Sequence, residues 1–518
     1  MQRSKFPKDL PMLKKINSAL ISVYHKAGLE NVIELLKDLG VTIYSTGGTA
    51  KFIEEQGVQV QQVENLTSYP SILGGRVKTL HPKVFGGILA RRHDKGDVAQ
   101  LDEYEIPQID LVIVDLYPFE ETVVSTNDEA AIIEKIDIGG IALIRATAKN
   151  YKDTLIVSHQ SQYQNFVELL KEKQGFSDIE DRQQYAKDAF NVSSHYDTAI
   201  YKFFNGNEED LSFKQSSFQN GNTLRYGENP HQQAVYYGDL SQMLNQLSGK
   251  QISYNNLVDM DAAVNIIAEF NEPTVAVLKH TNTCGLATRA TLIDAWKDAL
   301  VADPISAFGG VLITNQTIDL VTAHEIDKLF YEVLIAPKFN DDALELLKQK
   351  KNRILCEQVS KKLPNKIYKN VLNGVVEQQR DNATETEEDL KTATTKSPTD
   401  QEVKDLLFAN KVVKHLKSNG IALVRNGQLL GMGCGQTSRV DALNQAINKA
   451  KRFGFDVAGS VMASEAFFPF PDCVEIAKQS GINAVIQPGG SKKDQDSIDY
   501  CNANNMSMVF TGTRHFKH

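Results

Sequence analysis

Along the N-terminal part of this chain, short β-branched runs alternate with helical patterns, and no other sequence feature constrains the fold as tightly. Apolar runs at 19–23, 41–44 and 111–116 read as strands, while 29–39 and 50–56 carry helical periodicity. Strand, crossover helix and parallel strand in that rhythm predict a doubly wound α/β unit. A further strand is expected at 154–157. After it, a long helix opens with Ser177 and Glu180 at capping-box spacing and buries Ala186, Ala189, Ser193, Tyr196, Ile200 and Phe203 at three- and four-residue intervals.

The 518 residues exceed what one core usually encloses, so at least two domains are expected. The polar, turn-rich stretch 205–222 marks their boundary and gives domains 1–205 and 206–518. In the second region, 275–278 reads as a buried strand. Residues 421–424 and 428–430 read as a hairpin turning at Asn426-Gly427, and 484–486 starts another strand–turn–helix unit. The acidic, threonine-rich stretch 377–400 reads as a solvated surface excursion.

Composition excludes several functions. A net charge of −9 provides no cationic field for nucleic acid. The five cysteines are odd in number and widely spaced, without C-x-x-C or other zinc-ligand spacing, so they read as reduced thiols in packing roles with no metal. Residues 1–13 lack an apolar h-region and no run of about 18 apolar residues occurs, so a cytoplasmic protein without a membrane partner is expected.

In a doubly wound sheet the strand C-termini converge on one crevice, where ligands bind. Thr46-Gly47-Gly48-Thr49 follows one strand and suits a phosphate, because glycine lets backbone approach and the next helix presents free N–H groups. Arg76-Val77-Lys78-Thr79 follows a Gly-Gly pair, Tyr117 follows another strand, and Asp137 and Lys149 flank a helical run. Together Lys78, Tyr117, Asp137 and Lys149 offer donors, an acceptor and a proton source.

In the second region, 274–285 runs from an apolar strand into a polar, glycine-ended turn, so Lys279 and His280 leave the strand end together. An imidazole beside an ammonium at a strand end suits His280 to act as a base. Similar polar clusters are Arg225-Tyr226 with His231, Asn419 before the hairpin, and a helix start at Gln436–Arg439. There Ser438 and Asp441 form a capping pair, and Arg439 could reach over a bound anion. The aromatic stripe Phe467-Phe468-Pro469-Phe470 could wall a flat heteroaromatic ligand. Gly431-x-Gly433-x-Gly435 lacks dinucleotide-binding spacing.

The ordered motifs T-G-G-T, G-G-R-V-K-T-L-H-P at 74–82, D-L-Y-P-F at 115–119, I-D-I-G-G at 136–140, L-R-Y-G-E-N-P-H-Q at 224–232, K-H-T-N-T-C-G at 279–285, F-G-G at 308–310, G-Q-T-S-R at 435–439 and F-F-P-F span nearly the whole chain. In them the chain resembles the bifunctional purine-biosynthesis family that joins IMP cyclohydrolase to phosphoribosylaminoimidazolecarboxamide (AICAR) formyltransferase. The resemblance implies a methylglyoxal-synthase-like first domain and a second domain built as a duplicated cytidine-deaminase fold without zinc. It implies formyl transfer from 10-formyltetrahydrofolate to AICAR, then dehydrative closure of formyl-AICAR to IMP, with no metal. It also implies a homodimer with composite formyltransferase sites.

By matching motif positions, the resemblance implies a cyclohydrolase site of Ser22, Lys26, Thr46, Gly47, Gly48, Thr49, Arg76, Val77, Lys78, Thr79, Tyr117, Asp137 and Lys149. The implied formyltransferase site comprises Arg225, Tyr226, His231, Lys279, His280, Gly309, Glu332, Asn419, Arg439, Phe467 and Arg514. One turn departs from the family pattern: S-D-K-T-G is replaced by Tyr24-His25-Lys26-Ala27-Gly28. The competing expectation is a formyltransferase attached to a non-catalytic, nucleotide-sensing first domain. The complete set of Lys78, Tyr117, Asp137 and Lys149 speaks against it.

Overall fold

The computed structural model describes residues 13–205 and 221–518, which form two compact units. Residues 1–12 and 206–220, the latter holding most of the expected boundary, lie outside the described residues. In the first unit five strands form a fully parallel sheet in the order Val60–Gln62, Thr42–Ser45, Ser18–Ser22, Leu111–Val114 and Leu155–Val157. The central strands are buried on both faces, which explains their unbroken apolar sequences. Helices Leu29–Asp38 and Gly47–Glu55 supply crossovers, as the alternation predicts.

Two local expectations for this unit need correction. A helix at Tyr163–Glu172 intervenes after the last strand, and Ser177 lies within a short strand, Phe176–Asp178, paired with Leu13–Lys15. The long helix therefore starts later, at Ile179–Asn205, and its reciprocal cap is Asp178 with Asp181: each carboxylate accepts the other's backbone N–H at 2.9 Å. The Ser177 hydroxyl instead accepts from Arg182. The buried face is as expected at Ala186, Ala189, Ser193 and Tyr196, with Ile200 and Phe203 packed beside Phe119.

The second unit is one twelve-stranded sheet made of two equivalent halves. Each half contributes an antiparallel hairpin, then three parallel strands, then an antiparallel edge strand. The hairpins are Thr274–Lys279 with Asn282–Thr288, and Ile421–Arg425 with Gln428–Gly433. The parallel strands are Val311–Thr314, Val333–Ala336 and Ile354–Gln358 in one half, and Val461–Ser464, Ala484–Gln487 and Ser507–Phe510 in the other. Helix Tyr254–Ile267 precedes the first hairpin and Asp400–Lys414 the second. The halves join where Ala287 pairs with Gln428. This internal repeat is the duplicated fold that the motifs imply, and the turn at Asn426-Gly427 lies where its sequence predicts.

Three expectations change in this unit. The segment after Lys279 is not a glycine-ended loop, because the turn is only His280-Thr281 and Asn282 begins the return strand. Gly285 lies within that strand, where an added Cβ would meet the Ala299 carbonyl at 2.0 Å. Gly433 has the same packing reason, 1.9 Å from the Ala442 carbonyl, so the glycine series serves helix-on-strand contact. The stretch 377–400 is not simply solvated. Glu385 is buried and bonded to Asn410 and His515, and Lys391–Thr392 pairs with the edge of the sheet. All five cysteines are free thiols, and burial pushes Cys356, Cys473 and Cys501 up to about 12.

Candidate functional sites

In the first unit a cavity of about 830 Å³ opens at the C-terminal ends of the parallel strands. Ser22 ends one strand, Thr46 follows the next, and Asp115 and Tyr117 follow a third, so sheet topology gathers residues distant in sequence. Lys26, Gly48, Thr49, Arg76, Lys78, Thr79 and Asp137 line the same cavity. Gly47 sits beneath it: a Cβ there would lie 3.4 Å from the Lys78 ammonium.

The anion cradle is built from backbone. Thr46 caps the helix Gly47–Glu55, but its hydroxyl donates to Glu64 at 2.6 Å. The Thr49 hydroxyl donates to the Val23 carbonyl at 2.9 Å and accepts from the Val23 N–H at 3.1 Å. Both hydroxyls are engaged within the protein, whereas Thr49 was expected to offer its hydroxyl to the anion. What remains for an anion is the first-turn N–H groups, which have no intrahelical partners, with Lys78 beside them.

Asp137 is 9% exposed and is fixed from two sides. Its Oδ1 accepts from the Gly140 N–H at 2.6 Å, and its own N–H donates to the Tyr196 hydroxyl of the long helix. Burial pushes this carboxyl up, and the Gly140 N–H opposes that shift. The Tyr117 phenol is also pushed up, first by burial and then by the negative charge of Asp137. Arg76 pairs with Glu134 at the cavity rim. Val77 bridges back to Ile72 in its own loop and is not among the lining residues.

Lys149 is the residue that does not arrive. It is the exposed last residue of helix Gly139–Lys149, whereas Asp137 stands before its first turn. At about 1.5 Å per residue, this helix alone separates them by roughly 15 Å. Lys149 is accordingly not among the residues that line the cavity.

Sequence reasoning did not count Tyr24, Lys135, Asp115 or His25 as site residues. Tyr24 lines the cavity, packs edge-to-face on Tyr117 with ring centroids 5.5 Å apart, and shares with it the Lys135 ammonium, 5.2 and 5.7 Å above the two rings. Asp115 accepts the Tyr24 and His25 N–H groups and pairs with the His25 ring at 2.9 Å. The departure at Tyr24-His25 was the available signal.

In the second unit, Lys279 ends its strand and donates to the carbonyls of Phe308 at 2.9 Å and Gly309 at 2.8 Å. His280 is exposed at the tip of the turn. Glu332 follows in the next strand connection and pairs with Lys250. The first hairpin meets the second half through Cys434, whose thiol donates to the Asn282 side chain. Asn419 exchanges backbone hydrogen bonds with Gln436, and its amide donates to the Gln436 and Thr437 carbonyls.

Arg439 is not free to reach over an anion. Its side chain is 6% exposed and donates to Glu465 at 2.6 Å, Ser464 at 2.8 Å and the Asn419 side-chain oxygen at 2.8 Å. It braces Asn419 from behind, and Glu465 is a buried participant that no motif flagged. Phe467 is half-exposed beside buried Phe468. Arg514 is exposed over the Phe516 ring, next to buried His515. Arg225 and Tyr226 bond to each other on a surface hairpin with His231, which Asn255 ties to helix Tyr254–Ile267 through the Glu228 carbonyl. Among the described residues, no hydrogen bond joins this hairpin to Lys279 or His280.

The family described as AICARFT/IMPCHase bienzyme matches residues 147–449, more than half of the chain, and an MGS-like domain matches 28–142. The chain is 59% identical to the bifunctional purine biosynthesis protein PurH of Bacteroides thetaiotaomicron, over 98% of this chain and 99% of that one. It is 46% identical to the PurH protein of Acetivibrio thermocellus, over 97% and 100%. The chain belongs to the AICARFT/IMPCHase bienzyme family. Within this bienzyme the MGS-like match covers most of the parallel sheet and its cavity, and begins at Gly28, the last residue of the departing turn. The bienzyme match enters both halves of the duplicated sheet. Among the described residues, no helix is long and apolar enough to cross a membrane.

Proposed function

We propose that the two sites divide the last two steps of IMP synthesis, which are the activities of this bienzyme, between the two units. Formyl transfer is assigned to the Lys279–His280 turn with 10-formyltetrahydrofolate as donor, and ring closure to the cavity around Asp137. The observation that carries the assignment is the convergence of Lys78, Tyr117 and Asp137 on one cavity beside a helix N-terminus, a set a pure nucleotide sensor does not need.

In formyl transfer, the amine of AICAR forms a bond to the formyl carbon and His280 takes the amine proton. As the intermediate collapses, the bond from the formyl carbon to the folate nitrogen breaks, and that nitrogen leaves with the proton His280 had taken. Lys279 has two of its three N–H donors on backbone carbonyls, which leaves one for the developing oxyanion. In ring closure, the carboxamide nitrogen bonds to the formyl carbon and gives up one proton, the formamide nitrogen gives up another as its double bond to that carbon forms, and the formyl oxygen departs as water with two protons. Holding both groups on one ring supplies much of the rate. Asp137, its carboxyl raised by burial, accepts the amide proton. Tyr117 stays protonated near neutral pH and donates toward the departing oxygen, the part first expected of Lys149. Lys78 polarises that oxygen.

The working enzyme is read as a cytoplasmic homodimer, with Arg225, Tyr226, His231, Phe467 and Arg514 completing formyltransferase sites shared between subunits. Mixing the protein with AICAR and 10-formyltetrahydrofolate should yield both tetrahydrofolate and IMP, whereas formyl-AICAR alone should yield IMP. Formyl-AICAR persisting unclosed would favour the sensor reading.

A further inference from the structure

Two non-glycine residues, His280 and Thr281, hold left-handed backbone at φ +50° and +65°. Such a pair makes a two-residue hairpin turn of the type that normally selects Asn or Gly. For a β-branched residue like Thr281 this conformation is costly, so the surrounding structure must hold it. The holder is Asp259 on helix Tyr254–Ile267, whose Oδ1 accepts the Thr281 N–H at 2.7 Å.

The duplicated half shows the same device in a tip without catalytic side chains. There the turn is Asn426-Gly427, at φ +52° and +64°, and Asp405 of the matching helix accepts both N–H groups at 2.8 Å. An acidic residue from the preceding helix therefore anchors the hairpin tip in both halves. Only in the first half does the anchored tip carry a lysine and a histidine, and only there does the second turn residue pay for its side chain.

We propose that Asp259 is a positioning residue for formyl transfer, holding the His280-Thr281 turn so that Lys279 and His280 are presented together. The proposal rests on the reading of Lys279 and His280 as the formyl-transfer pair. Lys279 pairs with Asn282 across the turn and must reach the Phe308 and Gly309 carbonyls. A relaxed turn would shift both ends of that arrangement.

The test is steady-state formyl transfer by the full chain carrying Asp259→Ala, Asp259→Asn, Asp405→Ala or His280→Ala. Losing a charged acceptor predicts that kcat falls roughly 10- to 100-fold in Asp259→Ala, with KM for AICAR changed less than about threefold. Asp259→Asn keeps an acceptor oxygen and should recover most of kcat. Asp405→Ala should lower thermal stability while leaving kcat within about twofold. Adding Thr281→Gly to Asp259→Ala should restore activity, because glycine takes positive φ without the anchor. Near-normal kcat in Asp259→Ala, equal loss in Asp405→Ala, or no rescue by Thr281→Gly would each overturn the proposal. If Asp259→Ala does not fold, the Asp259→Asn activity and the double variant decide it. Full activity in His280→Ala would instead overturn the underlying assignment of the pair.

Discussion

Replacing Arg439 by Met tests whether the formyltransferase loop depends on a buried ion pair. The Arg439 and Glu465 side chains are 6% and 0% exposed, and Glu465 also accepts the Gly420 N–H. Removing the guanidinium leaves a buried carboxylate without its counter-charge, at a cost of about 3–5 kcal/mol. For a unit this large, about 2 °C is lost per kcal/mol, so its melting temperature should fall by roughly 6–10 °C. The single tryptophan, Trp296, is buried in the second unit and provides a selective fluorescence readout. Formyl transfer should fall at least tenfold, because the side-chain oxygen of Asn419 loses its brace. Closure of formyl-AICAR by the same preparation should persist. Adding Glu465→Met should recover most of the stability, since an apolar pair can replace a buried ionic one, without recovering formyl transfer. A single variant that melts normally, or a double variant that transfers formyl normally, would refute the argument.

Three further outcomes follow from the geometry. Burial alone would lower His515, but its bonds to Asp381 and Glu385 prevail and hold it up at about 9. A raised histidine stabilises fully below its ordinary value of 6.5 and loses that contribution as pH rises through about 9, so melting of the second unit should decline across that window and His515→Gln should flatten the decline. Lys149→Ala should close the ring within about twofold of the parent rate, whereas Lys78→Ala should lose most of it, by absorbance with formyl-AICAR. Tyr24→Ser should weaken IMP binding about tenfold, the scale of one base–aromatic contact, while leaving ribose 5-phosphate unaffected in calorimetry. Equal weakening of both ligands would assign Tyr24 to the phosphate instead.

In the first unit the strands at 18–22, 111–114 and 155–157 were legible because strands buried on both faces print as continuous apolar runs, whereas the partly exposed edge strand Val60–Gln62 has no such run and was not read. Misreadings arose where a local pattern had two registers or a distant partner. Ser177/Glu180 and Asp178/Asp181 share the same three-residue spacing, and only the three-dimensional pairing chooses between them. Thr46, Thr49 and Arg439 carry groups that would suit an anion, yet Glu64, Val23 and Glu465 claim them. The acidic stretch after 377 looked solvated because its buried partners, Asn410 and His515, lie far along the chain. Motif spacing could place Lys149 near Asp137 in sequence but could not report that a straight helix separates them.

Duplication also explains why the second unit has one candidate formyltransferase site rather than two. Because the halves meet through antiparallel strands, each hairpin tip lies beside the base of the other hairpin. At one junction the Lys279–His280 tip lies beside Cys434, whose thiol donates to the Asn282 side chain, and His280 remains exposed. At the other, the Asn426-Gly427 tip faces Thr288 and Arg289. There the Arg289 guanidinium donates to the Asn426 carbonyl at 2.7 Å and to Gln428, while its Nε is held by Asp298. An arginine thus packs against this tip, and both tip N–H groups are held by Asp405. The same backbone design presents an exposed histidine at one tip and an Asn-Gly turn packed against an arginine at the other. Divergence of a few side chains, rather than of fold, separates the two.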